Sequence, residues 1–320
     1  MSGPGWPCYR AAMRILFITS NRLGDAVLST GLLDHLINTY PHCRITVACG
    51  PVAGGIFTRM PNLERIILVE KQPYGRHWLR LWARTVGTVW DLVIDIRASL
   101  LSWLVATRRR AVMRKRPGHK TGQLAALLGV VPPPLPVAWT AADDRAVAER
   151  RLPPGAPVVA LAPTANWNGK IWPPERFAAL YLALAAGPLA GARVAVFAGP
   201  GAAERAMAAP LLAALPGAID LVGALSLPEA AACLARCALF VGNDSGLMHL
   251  AAAAGTPTLG LFGPTPAAEY APAGRRTAVV LAPGSSMSAL TVEAALAAAT
   301  RLLATATTGI AARGLGSPMI

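Results

Sequence analysis

Four polar segments of this chain follow short apolar runs and carry residues that could do chemistry. The clearest is residues 242–246, Gly-Asn-Asp-Ser-Gly, which come after one apolar run and directly before a predicted helix. Free backbone N–H groups at a helix start, with a Ser-Gly pair that allows close approach, make an anion site suited to a diphosphate. The alternative is that Asp244 or Ser245 simply caps the helix.

The second segment is a long polar loop, residues 163–173, that follows another apolar run and carries a single lysine, Lys170, between two tryptophans. An ammonium group there could neutralise the charge of a departing diphosphate. The alternative is ordinary, because a lysine in a loop is usually a solvated surface residue.

Two further carboxylates stand in similar places. Asp25 follows a glycine and opens a predicted helix, so it is either a helix N-cap or a general base at the mouth of a cleft. Glu204 follows the turn Gly199-Pro200-Gly201. A carboxylate beyond a strand end can bind ribose hydroxyls, and the alternative is an ordinary surface glutamate on a helix.

Two series of alternating strands and helices must position these residues. A doubly wound α/β architecture follows from the alternation, and its ligands are expected beyond the carboxyl ends of the strands. The predicted strands are Arg14–Thr19, Ile45–Cys49, Arg65–Val69 and Leu92–Ile96 in the first series, and Val158–Ala162, Arg193–Ala198, Asp220–Val222, Leu239–Val241 and Thr258–Phe262 in the second.

The division between the two series is marked by prolines, which can continue neither a helix nor a central strand. The predicted organisation is a disordered tail or misplaced start (1–13), a first Rossmann-like domain (14–135), a proline-rich linker (136–157), a second Rossmann-like domain (158–288), and a helix with a flexible tail (289–320).

Charge is distributed unevenly along the chain. The formal net charge is +14, and residues 1–150 contribute +11 of it, from 20 Lys and Arg against 9 Asp and Glu. Such a basic half attracts nucleic acid, an anionic membrane surface or a phosphorylated substrate; the alternative is a solubilising surface. The densest basic segment contains Arg108, Arg109, Arg110, Arg114, Lys115, Arg116 and Lys120.

Several classes of protein are disfavoured. No aromatic residue is interleaved with the basic segment, and no helix-turn-helix or RNA-binding motif is present, so a nucleic-acid-binding protein is the weaker alternative. The five cysteines form no C-x-x-C pair, and no carboxylate cluster suits Mg²⁺, so neither a disulfide framework nor a metal site is expected. Apolar stretches end well before about 18 residues, and a cytoplasmic setting is predicted.

Taken together and in order, these motifs resemble those of the bacterial lipopolysaccharide heptosyltransferases, glycosyltransferase family 9. The resemblance covers about residues 14–283. It is carried by Gly24-Asp25, Lys170-Ile171-Trp172-Pro173, residues 199–204 (Gly-Pro-Gly-Ala-Ala-Glu), residues 244–249 (Asp-Ser-Gly-Leu-Met-His), and the closing Gly263-Pro264-Thr265.

The resemblance implies a GT-B fold, two Rossmann-like doubly wound parallel-sheet domains facing across a cleft. It also implies an inverting transfer of heptose from ADP-heptose to a lipopolysaccharide-core or related glycan, without a metal ion or other cofactor. The implied alternative is a catalytically idle relative that only binds a nucleotide sugar.

Residue roles follow from the same resemblance. Asp25 would be the general base, and Lys170 and Thr164 would contact the diphosphate. Glu204 would hold the ribose and Asp244 the hydroxyls of the donor sugar. Backbone N–H groups would come from Ser245, Gly246 and Leu247, with His249 behind them or simply packed in the core. The acceptor would be a lipid-linked anionic saccharide at the cytoplasmic membrane face, met by the first domain and its basic segment.

Overall fold

The computed structural model describes residues 12–311 of the 320-residue chain. The tail predicted for residues 1–13 therefore lies outside the described residues except for its last two positions. Residues 312–320, which fall in the predicted C-terminal tail, lie outside them as well.

Five parallel strands form the first sheet, and each strand except the last of them begins within two residues of a predicted strand. They are β1 (Arg14–Ile18), β2 (Arg44–Cys49), β3 (Leu63–Leu68), β4 (Trp90–Asp95) and β5 (Thr107–Val112). Their order across the sheet is β3-β2-β1-β4-β5.

Helices cover both faces of this sheet. They are α1 (Leu23–Thr39), α2 (Pro51–Phe57), α3 (Arg76–Thr85) and α4 (Lys120–Ala125). Side chains of β1 alternate between the two faces. Ile15 and Phe17 pack in the core that contains α1, whereas Leu16 and Ile18 pack in the core that contains Leu81 of α3. The helices α1 and α3 therefore lie on opposite faces.

Six parallel strands form the second sheet. They are β6 (Val158–Ala162), β7 (Arg193–Val196), β8 (Ile219–Asp220), β9 (Leu239–Asn243), β10 (Thr258–Phe262) and β11 (Thr277–Leu281). Their order is β11-β10-β9-β6-β7-β8. The strands β6, β9 and β10 are buried along their whole length, as expected for the centre of a parallel sheet.

The remaining helices precede or surround the second sheet. They are α5 (Ala142–Arg151), α6 (Pro174–Ala186), α7 (Ala202–Ala214), α8 (Leu227–Ala235), α9 (Gly246–Ala253), α10 (Ala267–Tyr270) and α11 (Val292–Ala311). Helices α1 and α2 of the first series contact α9 and α8 of the second, so a buried core continues between the two sheets.

The topology fixes where ligands can bind. In each sheet the strand order reverses at one point, between β1 and β4 in the first sheet and between β6 and β9 in the second. A crevice opens at such a switch point, beyond the carboxyl ends of the two strands. The segments that follow these four strands are therefore expected to carry the functional site.

Two edge strands, β5 and β11, were not predicted from the sequence. The run Thr-Arg-Arg-Arg-Ala-Val of β5 looks like surface because three arginines occupy it, but an edge strand tolerates charged side chains. Arg108 pairs with Asp91 at 3.4 Å, and Arg110 donates from Nε to the carbonyl of Ser102. The first part of the basic segment is therefore sheet structure with partners inside its own domain.

The stretch predicted as linker, residues 136–157, is not extended throughout. Helix α5 lies within it and packs against α8. Arg59 of the first series donates two hydrogen bonds to the buried carboxylate of Asp144 on α5, at 3.0 and 3.1 Å. Burial alone would raise the pKa of Asp144, but these bonds and one from the backbone of Ala141 leave that pKa lowered. This pair ties α5 to the first domain, through the segment between α2 and β3.

Candidate active site

Asp25 lies in the first turn of α1, directly beyond the carboxyl end of β1. The N-cap position belongs to Arg22, and no side chain caps this helix, so the N-cap alternative for Asp25 is wrong. Its half-buried carboxylate accepts a hydrogen bond from the Ser20 hydroxyl at 3.2 Å. Burial, and next the negative charge of Asp25, raise the pKa of Tyr270 in the second domain, which places the two groups near each other.

The N-terminus of α1 meets the N-terminus of α9 across the cleft, and two glycines make the contact possible. A Cβ atom on Gly24 would lie 2.8 Å from the His249 ring, and one on Gly246 would lie 2.6 Å from the Leu23 side chain. Distances this short exclude any side chain without movement. The turn that carries Asp25 is therefore packed against the start of α9, where the sequence analysis predicts that a diphosphate binds.

Lys170 and Asp244 form an ion pair inside the second domain. The Lys170 Nζ donates to Asp244 Oδ2 at 2.7 Å, and the two side chains are 20% and 8% exposed. The alternative of a solvated loop lysine is therefore wrong. Two residues predicted separately, 74 positions apart, are brought together because β6 and β9 are neighbours in the sheet. The pair puts one cation and one anion directly beyond the switch point.

Asn243 holds the Lys170 loop against the end of β9, a role that the sequence analysis missed. Its side chain accepts from the Trp172 backbone N–H at 3.0 Å and donates to the Pro163 carbonyl at 2.8 Å. Both ends of the loop are thereby attached to one buried amide, and Trp172 is itself fully buried. The sequence feature that could have identified Asn243 is its position as a polar residue at the end of an apolar strand.

Ser245 occupies the N-cap position of α9 but does not cap it. No side-chain capping bond is made there, and the buried Ser245 hydroxyl has no hydrogen-bond partner among residues 12–311. Buried polar atoms almost always have a hydrogen-bond partner, so a buried hydroxyl without one is a candidate for binding a ligand. The hydroxyl and the free N–H groups of Gly246 and Leu247 belong to the same helix start.

His249 is buried one turn further along α9. Burial lowers the pKa of His249 to about 4; Asp244 opposes the shift, and His119 and Lys170 add to it. Its Nδ1 atom also lacks a partner within the described part of the chain. The ring is therefore neutral near pH 7 and packs against Gly24, so it belongs both to the domain contact and to the wall of the site.

Thr164 and Glu204 lie beyond the ends of β6 and β7. Thr164 is buried two residues after β6, in the same loop as Lys170. The Glu204 carboxylate is half-buried and accepts the Gly199 N–H at 3.2 Å, so it orders the turn that leads into α7. This contact engages one oxygen of the carboxylate; the predicted binding of ribose hydroxyls stays a prediction.

The second part of the basic segment reaches the cleft. Arg114, Lys115 and Arg116 are exposed directly after β5, and Lys120 begins α4. Between them, His119 Nε2 lies 2.9 Å from the carbonyl of Ala271 in the second domain. The exposed cations therefore sit on the first domain next to a point where the two domains touch.

Arg97, which the sequence analysis did not single out, lies beyond the carboxyl end of β4. Its guanidinium donates to Asn21 Oδ1 at 3.2 Å and stacks 4.7 Å from the ring centre of Trp78. Burial lowers the pKa of Arg97, and Asp95 opposes the shift. No carboxylate lies within 4.0 Å of this guanidinium in residues 12–311, so a cation faces the first-domain side of the crevice.

Two features are absent from residues 12–311. No helix there is long and apolar enough to cross a bilayer. No group of three or more His, Cys, Asp and Glu side chains that could hold a metal ion occurs in the described range either.

Comparisons with known proteins indicate one family. The model of glycosyltransferase family 9 (heptosyltransferase) matches residues 119–297. Lipopolysaccharide heptosyltransferase 1 of Pseudomonas aeruginosa is 30% identical over 288 residues, 79% of this chain and 79% of that protein. Lipooligosaccharide heptosyltransferase 2 of Haemophilus influenzae is 26% identical over 307 residues, 81% and 86% of the two chains.

A solved structure shows the same fold. The Escherichia coli protein described as ADP-heptose lps heptosyltransferase II aligns with a TM-score of 0.74 at 22% sequence identity, over 92% of this chain and 100% of that one. The predicted GT-B architecture of two doubly wound parallel-sheet domains is therefore confirmed.

Proposed function

The chain belongs to glycosyltransferase family 9, and from this premise we propose that it inverts the anomeric centre while moving heptose from ADP-heptose to a lipopolysaccharide-core or related glycan. The observation that carries the proposal is the contact between the Asp25 turn and the start of α9, with Lys170 beside it. One potential base and one potential diphosphate site thereby face each other across the cleft. The names of the relatives support heptose as the sugar.

Asp25 acts as the general base in this proposal. Its carboxylate takes the proton of the acceptor hydroxyl while the oxygen attacks the anomeric carbon from the face opposite the diphosphate. The bond from that carbon to the diphosphate oxygen breaks, and the nucleotide diphosphate leaves with the electron pair. The Ser20 hydroxyl, which donates to Asp25 Oδ2, orients the carboxylate. The transition state resembles an oxocarbenium ion, as in glycoside hydrolysis.

The leaving group is stabilised by groups of the second domain. Negative charge grows on the diphosphate as the bond breaks, and preorganised donors at that place supply most of the electrostatic stabilisation. The donors proposed are Lys170 Nζ, the Ser245 hydroxyl, and the N–H groups of Gly246 and Leu247, with Thr164 alongside. Asp244 fixes Lys170 and accepts from donor-sugar hydroxyls, and Glu204 accepts from the ribose.

Because these donors already offset the diphosphate charge, we propose that transfer requires no metal ion. The acceptor is an anionic lipid-linked saccharide, bound by the first domain at the cytoplasmic face of the membrane with peripheral contact through the basic segment. The guanidinium of Arg97, which has no carboxylate within 4.0 Å among the described residues, is suited to an anionic group of such an acceptor.

A donor panel tests the proposal. Thermal unfolding would be followed with ADP-, GDP-, UDP- and CMP-linked sugars, and release of nucleotide diphosphate would be measured with lipopolysaccharide-core acceptors. We expect stabilisation and turnover with ADP-heptose, and the same turnover in excess EDTA. Stabilisation by another nucleotide sugar alone would overturn the donor, and loss in EDTA restored by Mg²⁺ would overturn the metal-free mechanism.

A further inference from the structure

Large apolar side chains are exposed on one part of the first domain. Leu100, Trp103 and Leu104, in the segment that leads from β4 to β5, are 80%, 64% and 62% exposed, and Leu79 on α3 is 65% exposed. Single exposed apolar residues are common, but a group of them marks a surface that contacts something.

These residues form one surface because α3 packs against the segment after β4. The Trp82 indole of α3 donates to the Leu104 carbonyl at 3.1 Å. Trp82 and Leu79 are three residues apart on the helix and are therefore neighbours on its surface. The apolar surface, defined here as Leu79, Leu100, Trp103 and Leu104, thus runs from the helix onto the adjoining segment.

Cations are frequent in the two stretches of sequence that carry the apolar surface, which are separated by Asp91 and Asp95. Between Glu70 and Asp91 the chain has four Lys and Arg, and between Asp95 and Asp143 it has eight, with no acidic residue in either stretch. The Arg110 guanidinium stacks 4.6 Å from the ring centre of Trp103, and exposed Arg76 and Arg80 lie on the same helix as Leu79.

No element among residues 12–311 covers this surface. It lies with α3 on the face of the first sheet opposite α1, and α1 is the helix that meets the second domain. Ser99 is held at the carboxyl end of β4 by hydrogen bonds to Asp95, at 2.7 Å from its N–H. The surface therefore begins, at Leu100, on the sheet edge that also carries the Asp25 turn.

We propose that the apolar surface inserts into the headgroup region of an anionic bilayer, held by the arginines around it. Tryptophan with leucine suits the boundary between headgroups and acyl chains, and arginine suits anionic headgroups. This inference rests on the proposed lipid-linked acceptor, which would then be met at the membrane by the edge carrying Asp25. It adds to the basic segment a different contact, which salt does not screen.

Flotation with vesicles tests the proposal on the full-length protein. A variant with Leu100→Ser, Trp103→Ser and Leu104→Ser would be compared with wild type on vesicles of phosphatidylglycerol and phosphatidylethanolamine, at low salt and at 0.5 M NaCl, a concentration at which the screening length is only about 4 Å. We expect wild type to retain part of its binding at high salt, and the variant to bind about tenfold more weakly at low salt and not at all at high salt. The matched control is Leu182→Ser with Leu281→Ser, two exposed residues of the second domain.

Three outcomes would overturn the proposal. They are vesicle binding by the variant equal to that of wild type, equal loss in the control variant, and a self-association of wild type that the variant abolishes without a change in vesicle binding. Transfer to a lipid-free acceptor should be the same in wild type and the variant. If neither protein transfers heptose while the vesicle result stands, the proposed function fails and the docking surface remains.

Discussion

Asp25 is the residue whose replacement separates catalysis from binding. We expect Asp25→Asn to lower turnover by about 10²–10⁴, the usual contribution of a general base, while the affinity for ADP-heptose stays within about twofold. The amide keeps the size of the side chain and can still accept from Ser20, so the fold is retained. Turnover would be measured by release of ADP and affinity by calorimetry.

The matched control for this change is Asp34→Asn, which alters a carboxylate further along the same helix. It should leave both constants unchanged. An Asp25→Asn enzyme with the wild-type rate would remove Asp25 from the chemistry and leave it a polar residue in the first turn of α1.

Lys170 carries a second prediction at the same scale. Lys170→Ala should weaken binding of ADP by about tenfold or more, since a hydrogen bond to a charged group contributes about 1.5–3 kcal/mol. Calorimetry with ADP measures this directly. The change also leaves the buried Asp244 carboxylate without its ion-pair partner, so the protein should lose stability as well.

A double variant distinguishes the two effects of the lysine. Adding Asp244→Asn to Lys170→Ala removes the unpaired charge and should restore stability, but it should not restore ADP affinity. Lys71→Ala, on the surface of the first domain, serves as the control. An ADP affinity unchanged by Lys170→Ala would show that the lysine only neutralises Asp244.

At the scale of elements, the contact between the N-termini of α1 and α9 shapes the site. Gly246→Ala should lower kcat/KM by about tenfold and destabilise the protein by about 1–3 kcal/mol, because the new Cβ overlaps Leu23 and pushes α9 away from α1. Steady-state kinetics and urea unfolding would measure these effects.

A second substitution, at Leu23 on α1, should relieve the overlap that Gly246→Ala creates. Leu23→Gly in the Gly246→Ala background should recover part of the lost activity and stability, because it also removes the Leu23 Cβ, which would lie 2.7 Å from the new Cβ. Gly122→Ala, where a Cβ would lie 4.0 Å from Pro133, is the control glycine on another helix and should be neutral. A double variant no better than Gly246→Ala would argue against the helix contact as the cause.

His249 makes the contact between these helices sensitive to pH. Its folded pKa of about 4 lies below the ordinary 6.5, so the unfolded chain binds the proton more readily. The contribution to stability is therefore complete above about pH 6.5 and is lost as the pH falls towards 4. Urea unfolding between pH 7 and pH 4.5 should show a smaller loss of stability in His249→Leu than in wild type.

The effect of His249 on the pH dependence of stability must be distinguished from the effects of other groups near its ring. Asp244, Lys170 and His119 act on His249, and of these only His119 is another imidazole. Burial is the largest cause of the lowered His249 pKa and His119 a smaller one, so His119→Gln should reduce the dependence on pH much less than His249→Leu does. Equal slopes for wild type and His249→Leu would contradict the prediction.

The elements also show how far the sequence predicts the site. Asp25 and Asp244 each follow an apolar strand, and a parallel sheet places such residues at one edge, so their general location was predictable. The packing of Gly24 on His249 was not, because it joins two domains whose relative placement no local pattern records. The ion pair of Lys170 with Asp244 required knowing that β6 and β9 are adjacent.

At the scale of the whole molecule, the sequence shows that the excess positive charge lies in the first half of the chain. It does not show which of these cations have partners within the first domain. Arg108 and Arg110 are engaged within the first domain by Asp91, Ser102 and Trp103. These contacts form because β5 joins the sheet as an edge strand. A run of three arginines did not predict a strand there. The exposed cations that remain after β5 are Arg114, Lys115 and Arg116.

Those three residues carry the prediction for the whole protein. Changing Arg114, Lys115 and Arg116 to Gln should release the protein from vesicles that contain phosphatidylglycerol at low salt. Each basic residue near an anionic leaflet contributes about 1 kcal/mol, so three removed together weaken binding by about a hundredfold. The attraction falls off within a Debye length, and the difference from wild type should therefore shrink steeply as salt is added.

A control of equal charge distinguishes a specific face from general attraction. Arg145→Gln, Arg150→Gln and Arg151→Gln remove three exposed cations from α5 and should have a much smaller effect on flotation. ADP-heptose affinity should be unchanged in both variants, because the proposed donor groups lie beyond β6, β7 and β9. If the two triple variants lose vesicle binding equally, net charge rather than the segment after β5 determines the attachment, and the basic segment returns to a solubilising role.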